Sequence, residues 1–192
     1  MKVHTVERLK RDRELLRKML LGECKGALVE VRSKKELEEF KAMGLEGKVE
    51  VRNLVELIRK VQRGEDGRED RFELAKSKST PPHILEKVYG REMLDVYPKA
   101  MYYYLASNPN TPQWILEKLS SADWYEVRGA VAANPNTPQW ILKTLAKDRS
   151  VLVVERVASN STTPTEVLKE LLKHKSEKVR EKARRNLEGR RD

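Results

Sequence analysis

Hydrophobic residues in the second half of the chain recur with the spacing of short amphipathic helices. Two adjacent apolar residues are followed three positions later by another, and this triplet occurs three times: Ile115, Leu116 and Leu119; Ile141, Leu142 and Leu145; Val167, Leu168 and Leu171. Such spacing puts one apolar stripe on one face of a helix. A second apolar segment precedes each triplet, as Val127 and Val131 precede the second one. The pattern therefore predicts pairs of short helices that bury their stripes only when neighbouring pairs stack.

The segment that joins the two helices of each pair repeats almost letter for letter. The residues from Asn108 to Leu116 return unchanged from Asn134 to Leu142, 26 residues later, and in a looser form from Asn160. A fixed period of this size indicates a repeat architecture. We predict a mainly α-helical solenoid at 70–192, with repeats that begin near residues 71, 101, 127 and 153. The first repeat is degenerate and has an insertion near 90–98, and a capping helix at 177–187 ends the array.

Each joining segment contains a threonine before a proline and an asparagine. We expect Thr111, Thr137 and Thr163 to be N-caps with proline at the first helical position, and Glu166 to complete a capping box with Thr163. The asparagines are expected to be structural, because an Asn side chain satisfies turn carbonyls and tolerates unusual backbone angles. A catalytic group is needed once, whereas this residue returns in every copy: Asn108, Asn134, Asn160 and Asn186.

The first 69 residues have a different periodicity and predict a small α/β domain. An amphipathic helix is expected at 5–22, ended by Gly22. A β-α-β-α order follows, with two parallel strands expected because a crossover helix joins them. Ser33 and Asn53 are the expected N-caps of its two helices. Two strands need a further strand, a helix layer or a second copy of the chain to cover them, so a homodimer through this domain is one hypothesis. The predicted limits are strands at 27–31 and 48–51, helices at 34–43 and 54–61, and a domain boundary at 64–70.

The pattern Val-Arg-x-x-Val-Ala-x-Asn-Pro-x-Thr-Pro-x-x-x-Leu-x-x-Leu, from Val127 to Leu145, resembles the leucine-rich repeat variant family, a relative of HEAT and armadillo repeats. The resemblance covers about 120 of the 192 residues. It implies that each repeat pairs a 3₁₀ helix with an α-helix and that the stack is a right-handed superhelix. One member of that family carries a cysteine-ligated iron–sulfur cluster. Cys24 is the single cysteine here, so that cluster is not expected and no cofactor is predicted.

The composition limits the cellular compartments and the partners that the chain is expected to have. The single cysteine excludes a disulfide framework within the chain and fits a reducing cytoplasm. We expect no signal peptide and no membrane span, because the N-terminus is charged and no run approaches 18 apolar residues. The net charge of +10 favours acidic partners such as nucleic acid, although interspersed acidic residues weaken that signal. The charge density is highest in the last seventeen residues, which carry seven basic and four acidic side chains.

Aromatic residues provide the most distinctive candidate binding surface. Trp114 and Trp140 occupy equivalent positions in adjacent copies, so stacking is expected to bring the two indoles near one another. Exposed indoles beside basic residues stack on bases or hold a peptide. The alternative is that both fill the seam between repeats. The same two interpretations apply to a second aromatic cluster, formed by Tyr102, Tyr103, Tyr104, Trp124 and Tyr125.

Basic residues of the predicted array complete the candidate binding set. These residues are Arg128, Lys143, Lys169, Lys178, Arg180, Lys182, Arg184 and Arg185. The last five lie on the final helix, which is either the polar cap of an open solenoid end or a phosphate-contacting element.

Motifs for catalysis or metal binding are absent from the sequence. His4, His83 and His174 lie in different elements without metal-ligand spacing, and no phosphate-binding loop or nucleophile elbow occurs. We therefore predict a non-enzymatic module that binds another protein, with nucleic-acid binding as the alternative. A remote alternative is a HEAT-like DNA glycosylase, in which Asp123 and Trp124 would act beside the two other tryptophans; this rests on likeness of fold alone.

Overall fold

The computed structural model describes residues 3–21, 23–24, 27–45, 50–92 and 98–190. Within these ranges the chain is mainly helical, with thirteen helices and one small three-stranded parallel sheet. The chain divides into two compact units, residues 1–74 and 75–192.

The first unit contains the sheet and the helices that cover it. Its elements are β1 (Val3–Thr5), α1 (Val6–Arg11), α2 (Arg13–Leu20), β2 (Leu28–Val31), α3 (Lys34–Ala42), β3 (Glu50–Asn53) and α4 (Leu54–Arg63). A further helix, α5 (Arg68–Lys76), extends across the division. The strand order is β1-β2-β3 with both pairs parallel, and β2 is paired to Val3 through Leu28 and to Asn53 through Val31. Helices α1, α3 and α4 contact the central strand, whose four side chains are all buried.

The parallel arrangement of the two predicted strands is confirmed, but the single helix predicted at 5–22 is wrong. Strand β1 ends at Thr5, and two helices separated at Asp12 follow it. The Asp12 carboxylate accepts a hydrogen bond from the Leu15 N–H at 2.9 Å, so it caps the second helix. Strand β1 is the further strand that one of the alternatives for covering the two predicted strands required. The predicted stop at Gly22 lies outside the described residues.

The helix ends predicted in the β-α-β-α segment are confirmed. The Ser33 hydroxyl accepts from the Glu36 N–H at 3.1 Å, and the Asn53 carbonyl oxygen accepts from the Glu56 N–H at 3.3 Å. Gly44 and Gly64 follow their helices with φ of 68° and 80°, a left-handed conformation that glycine adopts at little cost.

The second unit is a succession of short helices. They are α6 (Pro82–Glu92), α7 (Pro98–Ser107), α8 (Gln113–Ser120), α9 (Tyr125–Ala133), α10 (Gln139–Leu145), α11 (Val151–Ser159), α12 (Thr165–Leu171) and α13 (Glu177–Glu188). Helix α9 contacts α7 and α11, and α11 contacts α13. Helix α8 contacts α10. Most of the predicted insertion near 90–98 lies outside the described residues.

The apolar triplets are buried as their spacing predicts. Ile115, Leu116, Ile141 and Leu142 have no exposed surface, and Leu168 is likewise fully buried. The preceding helices also bury apolar residues, so both helices of a pair contribute to the core: Val127, Val131, Ala132, Val153, Val157 and Ala158. At about 25 cal/mol for each Å² of apolar surface removed from water, such burial is the main stabilising term of this unit.

The threonines before proline do not cap the helices, contrary to the prediction. The helix N-caps are Pro112, Pro138 and Pro164, without a side-chain cap. Each threonine is buried, and its hydroxyl donates to a carbonyl six residues earlier: Thr111 to Leu105 at 2.6 Å, Thr137 to Val131 at 2.6 Å and Thr163 to Val157 at 2.7 Å. The extended backbone at the proline turns the hydroxyl toward the preceding helix. The predicted Thr163–Glu166 capping box is therefore also wrong.

The structural role of the asparagines is confirmed, and their bonds cross from one copy to the next. The Asn134 amide donates at 2.8 Å to Ala106 and Asn108 carbonyls, and its oxygen accepts from the Asn136 N–H at 2.9 Å. Equivalent pairs of donations come from Asn108, Asn160 and Asn186. We call this series the asparagine ladder. The backbone angles at Asn134 and Asn160 are ordinary extended ones, so the expected unusual geometry is absent there.

Candidate functional site

The tryptophans at the equivalent positions are on the surface. Trp114 is 45% exposed and Trp140 is 53% exposed, so the interpretation that both fill a seam between helix pairs is wrong. The Trp114 indole N–H donates to Glu86 at 3.1 Å, and its ring meets Tyr89 edge-on at 5.4 Å between centroids. No ring contact joins the two indoles, although both are fully described. The two side chains are thus separate exposed groups.

Arg128 is buried and fully engaged within the protein. Its guanidinium forms a two-pronged ion pair with Asp148 at 2.7 and 3.0 Å. The remaining nitrogen donates to the Ala122 and Asp123 carbonyls at 2.8 and 2.9 Å. Burial of Asp148 pushes its pKa upward, but the hydrogen bonds from Arg128 and the Ser150 N–H outweigh this, and the pKa lies below its ordinary value. The Arg128 guanidinium therefore has a structural role and is not available to a partner.

The other candidate basic residues differ in how far they are neutralised. Arg180 donates to the His174 and Lys175 carbonyls at 2.8 and 3.0 Å. Three cations have carboxylate partners: Lys143 pairs with Glu166 at 3.1 Å, Lys182 with Glu155 at 2.7 Å, and Arg185 with Glu181. Within the described ranges, no ion pair is formed by the exposed Lys169, Lys178 and Arg184. The last helix thus presents less free positive charge than its composition indicates.

A groove of about 500 Å³ crosses the second unit along helices α7, α9, α11 and α13. Large apolar side chains line it while remaining open to solvent: Tyr103 is 45% exposed, Tyr125 is 44% exposed and Leu152 is 55% exposed. Exposed apolar groups gathered in a concave surface are typical of sites that bind a partner.

Small residues of α9 form the floor of this groove. Gly129, Ala130 and Ala133 all line it. The backbone of Gly129 does not adopt a positive φ, so it requires no glycine. A Cβ atom added there would lie 4.0 Å from Arg156 Cγ and from Val153 Cγ2, which is ordinary van der Waals contact. Glycine at this position keeps the groove open, although alanine would stabilise the helix.

The charges around the groove are mostly paired. Lys99 pairs with Glu126 at 2.8 Å, and Lys182 pairs with Glu155 at 2.7 Å. The hydrogen bond from Lys99 is the first cause that holds the pKa of Glu126 below its ordinary value. Arg156 lines the groove, is exposed, and forms no ion pair with any described residue. The free charge of the groove is therefore a single guanidinium beside the small-residue floor.

The sequence identified part of this groove. Tyr103 and Tyr125 belong to the aromatic cluster that predicted either packing or binding. Gly129, Leu152 and Arg156 were missed. A signal for Leu152 was present, because the positions 26 residues before and after it are the charged Glu126 and Lys178. An apolar residue among charged equivalents on one helix face indicates an exposed apolar contact.

The titratable groups of the described ranges do not gather into a metal site. No cluster of three or more His, Cys, Asp and Glu side chains that could hold an ion occurs among the described residues. His4 is buried, His83 is exposed, and the His174 ring accepts from the Ser176 N–H at 3.0 Å. Asp123 is exposed, and Trp124 lies 6.3 Å from Tyr102 between ring centroids. None of the described helices combines the length and apolar character that crossing a membrane requires.

Comparison with known proteins adds no assignment: the sequence matches neither a protein-family model nor a curated protein.

Proposed function

We propose that residues 75–192 form a right-handed α-solenoid of variant leucine-rich repeats and that this unit binds a segment of another protein without catalysing a reaction. The asparagine ladder supports the stacked arrangement, because each amide donates to carbonyls 26 and 28 residues earlier in three successive copies. Bonds repeated at this offset fix each helix pair against the one before it.

The groove across α7, α9, α11 and α13 is the observation that carries the binding function. Its exposed tyrosines and leucine offer apolar area, and tyrosine contributes contact area at low entropic cost. Its position across four alternate helices suits an extended chain. Nucleic acid is the less favoured partner, because two carboxylates line the groove and most of the candidate cations are engaged within the protein.

The test is selection of random twelve-residue peptides displayed on phage, followed by titration of the selected peptides against purified protein. We expect enrichment over an unrelated protein and micromolar affinity. The Gly129→Trp variant fills the floor and should reduce affinity at least tenfold. Leu152→Lys should also weaken binding, because it replaces an exposed apolar contact. Lys118→Trp is the matched control, since it adds the same side chain at an exposed position of α8 outside the groove.

Two results would contradict the proposal. One is the absence of peptide enrichment on the full-length protein. The other is affinity that stays unchanged in both Gly129→Trp and Leu152→Lys, with each variant shown to be folded by circular dichroism.

A further inference from the structure

The apolar residues of the groove and its unpaired cation indicate which kind of protein segment it binds. We infer that it takes an extended peptide segment in which an aspartate or glutamate lies within a few positions of an apolar side chain. This inference rests on the proposed function. The apolar side chain would occupy the space above Gly129, and the carboxylate would pair with Arg156.

The position of the apolar anchor follows from the shape of the floor. Gly129, Ala130 and Ala133 line the groove with its smallest side chains, and Tyr103, Tyr125 and Leu152 line it with about half of each residue exposed. An apolar side chain inserted there would cover those three groups and leave no polar atom of its own unsatisfied. Such buried anchors, surrounded by aromatic residues, dominate the energy of many protein interfaces.

The acidic preference follows from the charges that remain after internal pairing. Glu126 and Glu155 already have lysine partners at 2.8 and 2.7 Å, so neither requires a cation from a partner. Arg156 is the groove cation without an ion-pair partner among the described residues. An unpaired guanidinium suits a carboxylate, because its N–H groups can make two parallel charge-assisted hydrogen bonds.

The distance between the two features limits the spacing in the peptide. The Cγ atom of Arg156 lies 4.0 Å from the Cβ position of residue 129, so the aliphatic stem of this arginine borders the anchor position. Neighbouring packed helices are roughly 8–10 Å apart, and an extended peptide advances about 3.3 Å per residue. One helix-to-helix step therefore corresponds to about three peptide residues, and the carboxylate is expected within about three positions of the anchor.

The test uses arrays of synthetic eleven-residue peptides with a central Leu, Ile, Phe or Trp. One flanking position at a time carries Asp, Asn or Lys. Affinities are measured by fluorescence anisotropy for the wild-type chain, Arg156→Glu and the control Lys118→Glu, which makes the same charge change at an exposed position of α8 outside the groove. We expect the best Asp peptides to bind the wild type about tenfold tighter than their Lys counterparts, with the preference reversed in Arg156→Glu and unchanged in Lys118→Glu.

The outcomes separate this inference from the function on which it rests. If Asn or Lys peptides bind as well as Asp peptides and lose affinity in Gly129→Trp, the groove binds peptides but the acidic specificity is wrong. A preference that Arg156→Glu leaves unchanged also overturns it. If no peptide of any class binds, both the inference and the proposed function fail.

Discussion

Among single residues, the asparagines of the ladder make hydrogen bonds on which the stability of the second unit depends. Each is held at the junction between helix pairs and satisfies carbonyls that no other side chain reaches in the described contacts. Asn134 is 2% exposed and has three hydrogen bonds through its side chain. Leaving a buried polar group unsatisfied costs more than the net gain from making one hydrogen bond. Substitution of a ladder asparagine is therefore expected to lower the free energy of unfolding.

We predict that Asn134→Ala lowers the free energy of unfolding by about 2–4 kcal/mol. The Ala106 carbonyl loses its side-chain donor, the Asn136 N–H loses its acceptor, and the Asn108 carbonyl keeps only the Thr111 N–H. Asn136→Ala is the control. Asn136 is exposed, and its amide has a single bond to the Pro109 carbonyl, so its loss should cost less than about 1 kcal/mol. Urea unfolding followed by circular dichroism measures both. Equal losses in the two variants would show that the ladder has no special role.

The buried pair of Arg128 and Asp148 predicts a dependence of stability on pH. The pKa of Asp148 is lower in the folded chain than its ordinary value near 3.9, so its contribution is present above that value and disappears as the pH falls through the folded pKa. At pH 7, Asp148→Asn should cost about 3–5 kcal/mol, because it leaves the Arg128 charge uncompensated. The difference between wild type and variant should shrink below about pH 4.

The measurement for this pair is thermal and urea unfolding between pH 7 and pH 3. Glu117→Gln supplies the comparison, because Glu117 is exposed on α8 and forms no ion pair with a described residue. A loss for Asp148→Asn that remains constant across this pH range would exclude the ion pair as its cause.

The same residues show how far the sequence predicted single side chains. The burial of the apolar triplets and the structural role of asparagine followed from periodicity and from side-chain chemistry. The exposure of Trp114 and Trp140 could not be predicted in this way, because an indole beside an apolar stripe fits either the core or the surface. The threonine hydroxyls were placed wrongly for a similar reason. The sequence Thr-Pro fits an N-cap, and only the path of the preceding helix shows that a carbonyl lies closer.

For helices and strands, the local signals were strongest where a cap or a glycine marks an end. Ser33, Asn53, Gly44 and Gly64 have the predicted roles. The error at residues 5–22 arose because the apolar periodicity continues through two helices that are interrupted without proline or glycine. Asp12 interrupts them, and an aspartate inside an amphipathic pattern is equally compatible with an exposed helix position.

The glycine in α9 provides a prediction about that helix. Gly129→Ala should raise the free energy of unfolding by about 0.5–1 kcal/mol, because alanine favours the helix and the added Cβ meets only ordinary contacts at 4.0 Å. Gly44→Ala is the matched control, and it should be destabilising because Gly44 has a φ of 68°. Denaturant unfolding compares the two. Destabilisation by Gly129→Ala would mean that the floor of the groove is already closely packed.

For the chain as a whole, the net charge of +10 is a poor guide to the partner. Patterning of charge decides binding, and much of the positive charge in the described ranges is paired internally. Composition could not reveal this, because pairs such as Lys99 with Glu126 join residues 27 positions apart. The mainly helical character predicted for the second unit is confirmed, whereas the first unit contains a third strand and a helix break that were not predicted. A repeated pattern supplies several independent copies of the same helical signal, and the first unit has no such repetition.

The final prediction concerns nucleic acid. A labelled 20-base-pair duplex should bind weakly at 50 mM salt, and the double variant Lys178→Gln and Arg184→Gln should leave both the affinity and its salt dependence unchanged. These two residues are the exposed cations of α13 that form no ion pair with a described residue. If they contacted phosphates, each would contribute about −0.9 to the slope of log K against log salt, so removing both would reduce the steepness by about 1.8. Anisotropy titrations between 50 and 200 mM salt resolve a change of that size. Observing it would make the last helix a phosphate-binding element and favour nucleic acid over a protein segment as the partner.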